Sequence, residues 1–269
     1  MFQNILDEEI EKQEDVNFYE NSKKIDFKKL FSLSDIILYI VSFMISMVGF
    51  GGEFAPFSIA ILAAVCSNKI PAGIVFIATC VGTLIGFGFG GLLTYLVIAL
   101  LFIALMLIKR PFIDDENRNE KLKLGKYVLI CTFVVQAGKM LFGMFLFYDL
   151  LTSIMFAILS YIFYKIFVNS ITVIRGFGTS SAFTVEEVMG ASMLVAIAFY
   201  SLNWINVFGL SISNILSIML VLFLGWKNGI LVGASSGITI GTVLGIIGNT
   251  NPILLASYTI SRNDSRNIK

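Results

Sequence analysis

Few residues in this chain have side chains that could carry chemistry, and most of them lie beside or within apolar segments. Lys139 is the one basic residue away from the ends of such a segment, and it follows Gln136 by three positions. An ionisable side chain at membrane depth is costly to bury, which makes it a functional hypothesis by itself. A long lysine side chain can instead extend to the interface, or it can pair with Asp149 across the next turn. Gln136 and Lys139 are therefore candidates for an intramembrane polar site, with a structural role as the alternative.

A second candidate group is acidic. Glu186 and Glu187 follow Thr184 at the start of an apolar segment. This spacing is typical of a capping box, in which a threonine at N-cap and a glutamate at N3 bond to each other's backbone N–H groups. Carboxylates also suit the positive end of a helix dipole. Paired carboxylates can alternatively bind a metal or relay protons, but the chain has no histidine and no third acid is near in sequence. We therefore predict that Thr184 and Glu187 cap a helix.

Glycines recur at every fourth position in the apolar run from 225 to 248. The set consists of Gly229, Gly233, Gly237, Gly241 and Gly245. In a helix this spacing places them on one slowly rotating stripe, where a neighbouring backbone can approach closely. A phosphate-binding glycine loop is the alternative, but no Gly-Lys-Ser or Gly-Lys-Thr sequence follows. The pattern predicts a helix-packing surface.

No catalytic, metal or cofactor motif occurs elsewhere. Cys66, Cys80 and Cys131 each stand alone in apolar runs, without metal-ligand spacing. The hydrolase, zinc-protease and nucleotide-binding signatures are all missing. We therefore expect no catalytic residue, no metal site and no cofactor, and the net charge of +1 gives no indication of nucleic-acid binding.

The composition places the chain among membrane proteins. Of its 269 residues, 57% are hydrophobic and 14% are charged, whereas a soluble domain carries about 25% charged residues. A helix needs about 20 apolar residues to cross a bilayer core of about 30 Å. Segments approaching that length are 34–52, 54–67, 71–89, 91–108, 127–145, 149–168, 187–203, 207–225 and 228–248. We predict an all-α, polytopic membrane bundle with about nine complete transmembrane helices. Segments 54–67 and 187–203 are short, so their length does not decide whether they span the membrane fully.

Charge placement predicts the orientation of this bundle. With a cytoplasmic N-terminus, all of the 19 lysines and arginines except Lys139 fall inside or at inner helix ends, as the positive-inside rule requires. The predicted organisation is a charged cytoplasmic tail (1–33) without a cleavable signal peptide, a transmembrane domain (34–261) and a polar tail (262–269). Residues 109–126 form the predicted cytoplasmic loop.

The last apolar segment is short. PILLASYTIS, starting at Pro252, provides about 15 Å of helix before polar and basic residues follow. We expect a truncated tenth helix there. The pattern G-x-x-G-x-x-x-P-x-x-x-A occurs from Gly49 and again from Gly245. A duplication would explain the repeat, as in many transporters, but it is also ordinary hairpin chemistry.

Three stretches resemble one known family. They are GFGGEFAPFSIAILAAV from Gly49, AFTVEEVMGASMLVAIA from Ala182 and GWKNGILVGASSGITIGTVLGIIGNTNPILLASYTIS from Gly225. They are similar to the N-terminal membrane domain of the stage II sporulation protein E family. The similarity covers almost all of the chain, and the two later stretches are more specific than the first.

The resemblance implies a membrane anchor that self-associates and belongs to a PP2C-type, metal-dependent serine phosphatase. It further implies binding to the division protein FtsZ at the asymmetric sporulation septum of the cell membrane, where the family activates the forespore sigma factor. This sequence contains neither the regulatory nor the phosphatase region, so no catalytic or manganese-binding residue can be carried over and no enzymatic activity is expected. A small multi-pass transporter or channel subunit is the alternative function.

Overall fold

The computed structural model describes residues 33–49, 55–68, 70–109, 117–141, 147–176, 183–207 and 209–248. These residues form eight helices and one short β-hairpin. The helices are α1 (Leu33–Ser46), α2 (Pro56–Ser67), α3 (Ala72–Lys109), α4 (Asn117–Leu141), α5 (Phe147–Arg175), α6 (Val185–Tyr200), α7 (Ile212–Asn228) and α8 (Ile230–Gly248). Between α6 and α7, strand β1 (Asn206–Val207) pairs antiparallel with β2 (Leu210–Ser211). The predicted all-α class is confirmed.

The longest helix, α3, consists of two antiparallel halves joined at Gly88. Gly88 has φ 66° and ψ −163°, a conformation that glycine adopts far more readily than other residues. The hydroxyl oxygens of Thr79 and Tyr95 lie 2.7 Å apart, and the ring centroids of Phe76 and Tyr95 are 6.2 Å apart. In a straight helix the residues at 79 and 95 would be about 24 Å apart. The chain therefore reverses at Gly88, close to the boundary between two of the predicted segments.

Helix length alone does not account for nine crossings. By length and composition, three helices of the described chain can cross a membrane: Ala72–Ile108, Phe147–Arg175 and Ile230–Gly248. The first of these folds back at Gly88, so its length is divided between two halves. Shorter apolar helices are Ser34–Ser46, Pro56–Ser67 and Ile212–Asn228.

The core of the bundle surrounds α2. Every residue from Pro56 to Val65 is buried, and Phe57 packs edge-on against Phe163 of α5, with ring centroids 4.6 Å apart. Helices α3, α4 and α5 all contact α2. Its 12 residues extend only about 18 Å. Protein encloses residues 56–65 of this helix, so its backbone is shielded from lipid over that length.

Two helices extend beyond the predicted apolar segments. α4 begins at Asn117, so the predicted loop 109–126 is helical over its second half. A Cβ at Gly125 would lie 2.8 Å from the Tyr161 ring of α5, which shows that this charged part of α4 is packed. α5 likewise continues to Arg175. A hydropathy average misses these added turns of α4 and α5. Charged residues on one face of a helix lower the average hydropathy, although another face still packs against a neighbouring helix.

Several predictions fall outside the described residues. These are the charged tail up to residue 32, the loop residues 110–116, part of the hairpin pattern from Gly49, and the truncated tenth helix with the polar tail after residue 248.

Candidate functional site

Helices α7 and α8 pack backbone to backbone. A Cβ added to Gly233 of α8 would lie 2.5 Å from Cα of Gly225 on α7 and 3.1 Å from its nitrogen. A side chain at position 233 would prevent this approach, which is the close helix contact that membrane bundles favour. The two helices run antiparallel on either side of Gly229.

The predicted glycine stripe contains residues of two kinds. Gly233, Gly237 and Gly241 of α8 are buried, and Gly245 is half-buried. Gly229 lies outside the helix, is exposed and has φ 87°. It terminates α7 in a conformation that favours glycine, so it is a turn residue and not part of a packing surface. The sequence could not separate the two roles because the turn glycine happens to continue the four-residue spacing.

Helix α7 has a row of buried residues at the same spacing, which the sequence predictions missed. On α7, Ser213, Ser217 and Val221 are buried and share the same spacing of four, which Gly225 continues. Gly233 of α8 contacts this face of α7 at Gly225 and near the carbonyl oxygen of Val221. Within the described part of the chain, the hydroxyls of Ser213 and Ser217 have no hydrogen-bond partner. The four-residue spacing was visible in the sequence, but bulky apolar residues between its members concealed it.

Another pair of glycines brings α1 against α3. A Cβ at Gly82 would lie 2.5 Å from the carbonyl oxygen of Phe43, and one at Gly86 would lie 2.7 Å from that of Met47. Both contacts are with backbone atoms. The spacing of four places Gly82 and Gly86 on one face, so this is a second small-residue interface, also missed from the sequence.

An ion pair joins the first turn of α1 to the last turn of α5. Arg175 donates hydrogen bonds from Nε and Nη2 to Oδ1 of Asp35, at 3.1 and 3.0 Å. The Asp35 side chain is 6% exposed and that of Arg175 is 43% exposed. An acid at a helix N-terminus and a base at a C-terminus also complement the two helix dipoles. The contact therefore fixes α1 to α5 at one end of the bundle.

Tyr164 and Asn68 make further polar contacts between helices. The Tyr164 hydroxyl of α5 donates to the carbonyl oxygen of Lys121 on α4 at 2.8 Å and lies 3.2 Å from Oγ of Ser67. The side-chain amide of Asn68, just after α2, donates to the carbonyl oxygen of Val168 at 3.2 Å. These bonds connect the end of α2, the first half of α4 and the second half of α5.

The residues predicted to cap a helix lie at the start of α6. The N–H of Thr184 donates to Oε2 of Glu187 at 2.9 Å, and the N–H of Glu187 donates to Oγ1 of Thr184 at 3.3 Å. This is the reciprocal pair of bonds that defines a capping box. Glu186 is exposed and lines a cavity of about 300 Å³ with Lys165, Asn169 and Thr239.

The two residues of the predicted intramembrane polar site lie on α4. Gln136 is half-buried and Lys139 is exposed. Neither lines the 300 Å³ cavity or a larger one of about 600 Å³ between α5, α6 and α7. Gln136 and Lys139 therefore do not belong to either of these two cavities.

Metal-binding side chains are scattered over the described helices. No group of three or more histidine, cysteine, aspartate or glutamate residues comes together in this part of the chain. Cys131 is buried, and Cys66 and Cys80 are half-buried, all as free thiols.

Comparison with known proteins gives one family. The family model described as SpoIIE, N-terminal domain, matches residues 3–256. No curated protein and no solved structure matches the chain.

Proposed function

This chain belongs to the SpoIIE N-terminal domain family, the membrane-anchoring domain of a sporulation protein, and we propose that it anchors a septal serine phosphatase in the cell membrane. The observation that carries the proposal is the family match over residues 3–256, which takes in every described helix. In this proposal the phosphatase activates the forespore sigma factor, and its catalytic groups lie outside this chain. Self-association and FtsZ binding at the asymmetric septum belong to the same proposal.

The proposed anchor crosses the membrane nine times, with its N-terminus in the cytoplasm. Counting the halves of α3 separately gives nine helical segments in the described chain. Alternating crossings put the start of α1, the end of α2, the start of α4 and the end of α5 on the inner side. The Asp35–Arg175 pair connects the start of α1 to the end of α5. The bonds of Tyr164 and Asn68 connect the second half of α5 to the first half of α4 and the end of α2, and these contacts support the alternation.

The exposed side chains of the bundle suit a lipid environment. Apolar residues on the outer surface of α3 are well exposed, among them Ile77, Ile85, Phe89, Val97 and Leu100. Trp204, before the β-hairpin, is 74% exposed, and Trp226, near the end of α7, is 84% exposed. These are the chain's two tryptophans, and they lie towards opposite ends of α7. Tryptophan is enriched at both membrane interfaces, so this placement supports α7 as a crossing helix.

Cysteine labelling tests the topology. In a chain whose three native cysteines are replaced by serine, Arg118→Cys and Asn206→Cys should react with a membrane-impermeant maleimide from opposite sides. Right-side-out vesicles should label only Asn206→Cys, and inverted vesicles only Arg118→Cys. Labelling of both variants from one side would refute the nine-crossing arrangement.

Localisation and activity test the anchoring role. A fluorescent protein fused to the N-terminus should concentrate at the asymmetric septum of sporulating cells, and differently tagged copies should co-purify. The purified chain with manganese should release no phosphate from a phosphorylated anti-anti-sigma factor. Uniform membrane fluorescence throughout sporulation would contradict septal anchoring. Phosphate release would contradict the proposal that the catalytic groups lie outside this chain.

A further inference from the structure

The cavity between α5, α6 and α7 has apolar walls. Its volume is about 600 Å³, within the range of ~300–1,000 Å³ typical of small-molecule sites. Residues of α6 and of the C-terminal parts of α5 and α7 line it. The walls include Val173, Ile174, Ala191, Val195, Leu220 and Leu224.

One end of this cavity is polar and positively charged. Lys227 and Asn228, the last two residues of α7, both line it. The Nζ of Lys227 lies 6.0 Å from the ring centroid of Phe223, which is also a lining residue. Among the described residues that line the cavity, Lys227 carries the one charge and there is no carboxylate. On α6, the Ser192 hydroxyl already donates to the Met189 carbonyl oxygen at 2.7 Å.

We propose that the cavity holds one acyl chain of an anionic phospholipid, with its phosphate beside Lys227. An apolar volume with a cation at one end matches a hydrocarbon chain attached to an anionic headgroup. Basic pockets between membrane helices on the cytoplasmic side recognise lipid headgroups in this way. The inference rests on the proposed topology, because that topology places the ends of α5 and α7 at the inner leaflet. A bound lipid would make the packing of α5, α6 and α7 depend on the lipid composition of the membrane.

Retention of lipid by the full chain tests this site. The protein is reconstituted in bilayers of phosphatidylcholine alone or of an equal mixture with phosphatidylglycerol, then extracted and examined by native mass spectrometry. The parent should retain one phosphatidylglycerol in preference to phosphatidylcholine. Lys227→Gln removes the charge and should weaken retention about fivefold. Ala191→Leu fills the cavity and should reduce retention of either lipid.

A matched control separates this site from general attraction of basic proteins to anionic lipid. Lys123 is an exposed lysine of α4 and does not line the cavity, so Lys123→Gln should retain lipid as the parent does. The proposal would be overturned if Lys123→Gln and Lys227→Gln lost equal amounts of bound phosphatidylglycerol. It would also be overturned if Lys227→Gln retained as much phosphatidylglycerol as the parent. Thermal unfolding in phosphatidylcholine alone checks whether Ala191→Leu folds. If this variant does not fold, the lipid retention of Lys227→Gln decides the test.

Two other outcomes would also overturn the proposal. A dimer that retains no lipid, and that Ala191→Leu dissociates, would assign the cavity to a second copy of the chain. Preferential retention of phosphatidylcholine would show that Lys227 does not select the headgroup. Failure of the topology is distinguishable from both, because it would appear as same-side labelling of Arg118→Cys and Asn206→Cys whatever lipid is retained.

Discussion

Replacing Gly233 by alanine tests whether backbone contact holds α7 against α8. The new Cβ would lie 2.5 Å from Cα of Gly225 and 3.7 Å from the carbonyl oxygen of Val221. Backbone atoms cannot rotate away as a side chain does, so the helices must move apart. Overpacking of this kind costs about 1–3 kcal/mol, whereas alanine is favoured over glycine within a helix by only about 1 kcal/mol. The first effect should win, and the variant should be less stable than the parent.

Gly138 provides the matched control for this substitution. It lies in α4, and a Cβ added there would meet nothing within 4 Å. Gly138→Ala therefore has the same gain in helix propensity without the clash. The difference in unfolding free energy between the two variants should equal the overpacking cost of about 1–3 kcal/mol. For a domain of this size, each kcal/mol corresponds to about 2–4 °C in the unfolding midpoint.

The native cysteines provide the assay. Cys131 is buried, and Cys66 and Cys80 are half-buried, so a thiol-reactive dye should report their exposure as the detergent-solubilised protein is heated. All variants must be heated at one rate, because midpoints of irreversible unfolding depend on the rate. Gly233→Ala should unfold below the parent, and Gly138→Ala at or above it. The reasoning about α7 and α8 is refuted if Gly233→Ala unfolds at or above Gly138→Ala.

The same heating experiment checks three further predictions. Asp35→Asn should lower the unfolding free energy by about 1–3 kcal/mol, because it breaks a pair whose acid is buried while its base, Arg175, is partly exposed; an unchanged midpoint would contradict a structural role for the pair. Thr184→Ala should cost about 1 kcal/mol through the lost cap, while Thr184→Ser should cost little; equal effects of the two would argue against capping. Ser217→Ala should leave the midpoint unchanged or raise it, because a buried hydroxyl without a partner is costly; a clear decrease would show that the hydroxyl is bonded.

The sequence predicted the helical class and the approximate position of each helix. This succeeded because a chain in lipid must satisfy its backbone hydrogen bonds internally, so long apolar segments become helices. The reversal at Gly88 lies close to the boundary between the predicted segments 71–89 and 91–108. The cap at Thr184 and Glu187 was also accessible, because its partners are three residues apart and their spacing specifies the geometry.

Contacts between distant segments were not accessible in this way. Asp35 and Arg175 are 140 residues apart in sequence, and nothing in either local sequence indicates the other. Gly82 and Gly86 look like ordinary glycines of an apolar run until the backbone of α1 is placed against them. Hydropathy reports how apolar a segment is, but not which of its faces another helix covers. The sequence therefore did not show that Gly229, which was assigned to the packing stripe, has only a local role in the turn after α7.

The described contacts hold the bundle together in two different ways. Lipid is as apolar as the helices, so the hydrophobic effect does not drive their association, and close packing and hydrogen bonds must do so. Gly82, Gly86 and Gly233 contribute close packing, because a residue without a side chain lets two backbones meet. Asp35 and Tyr164 contribute hydrogen bonds, which join helices whose residues are far apart in sequence.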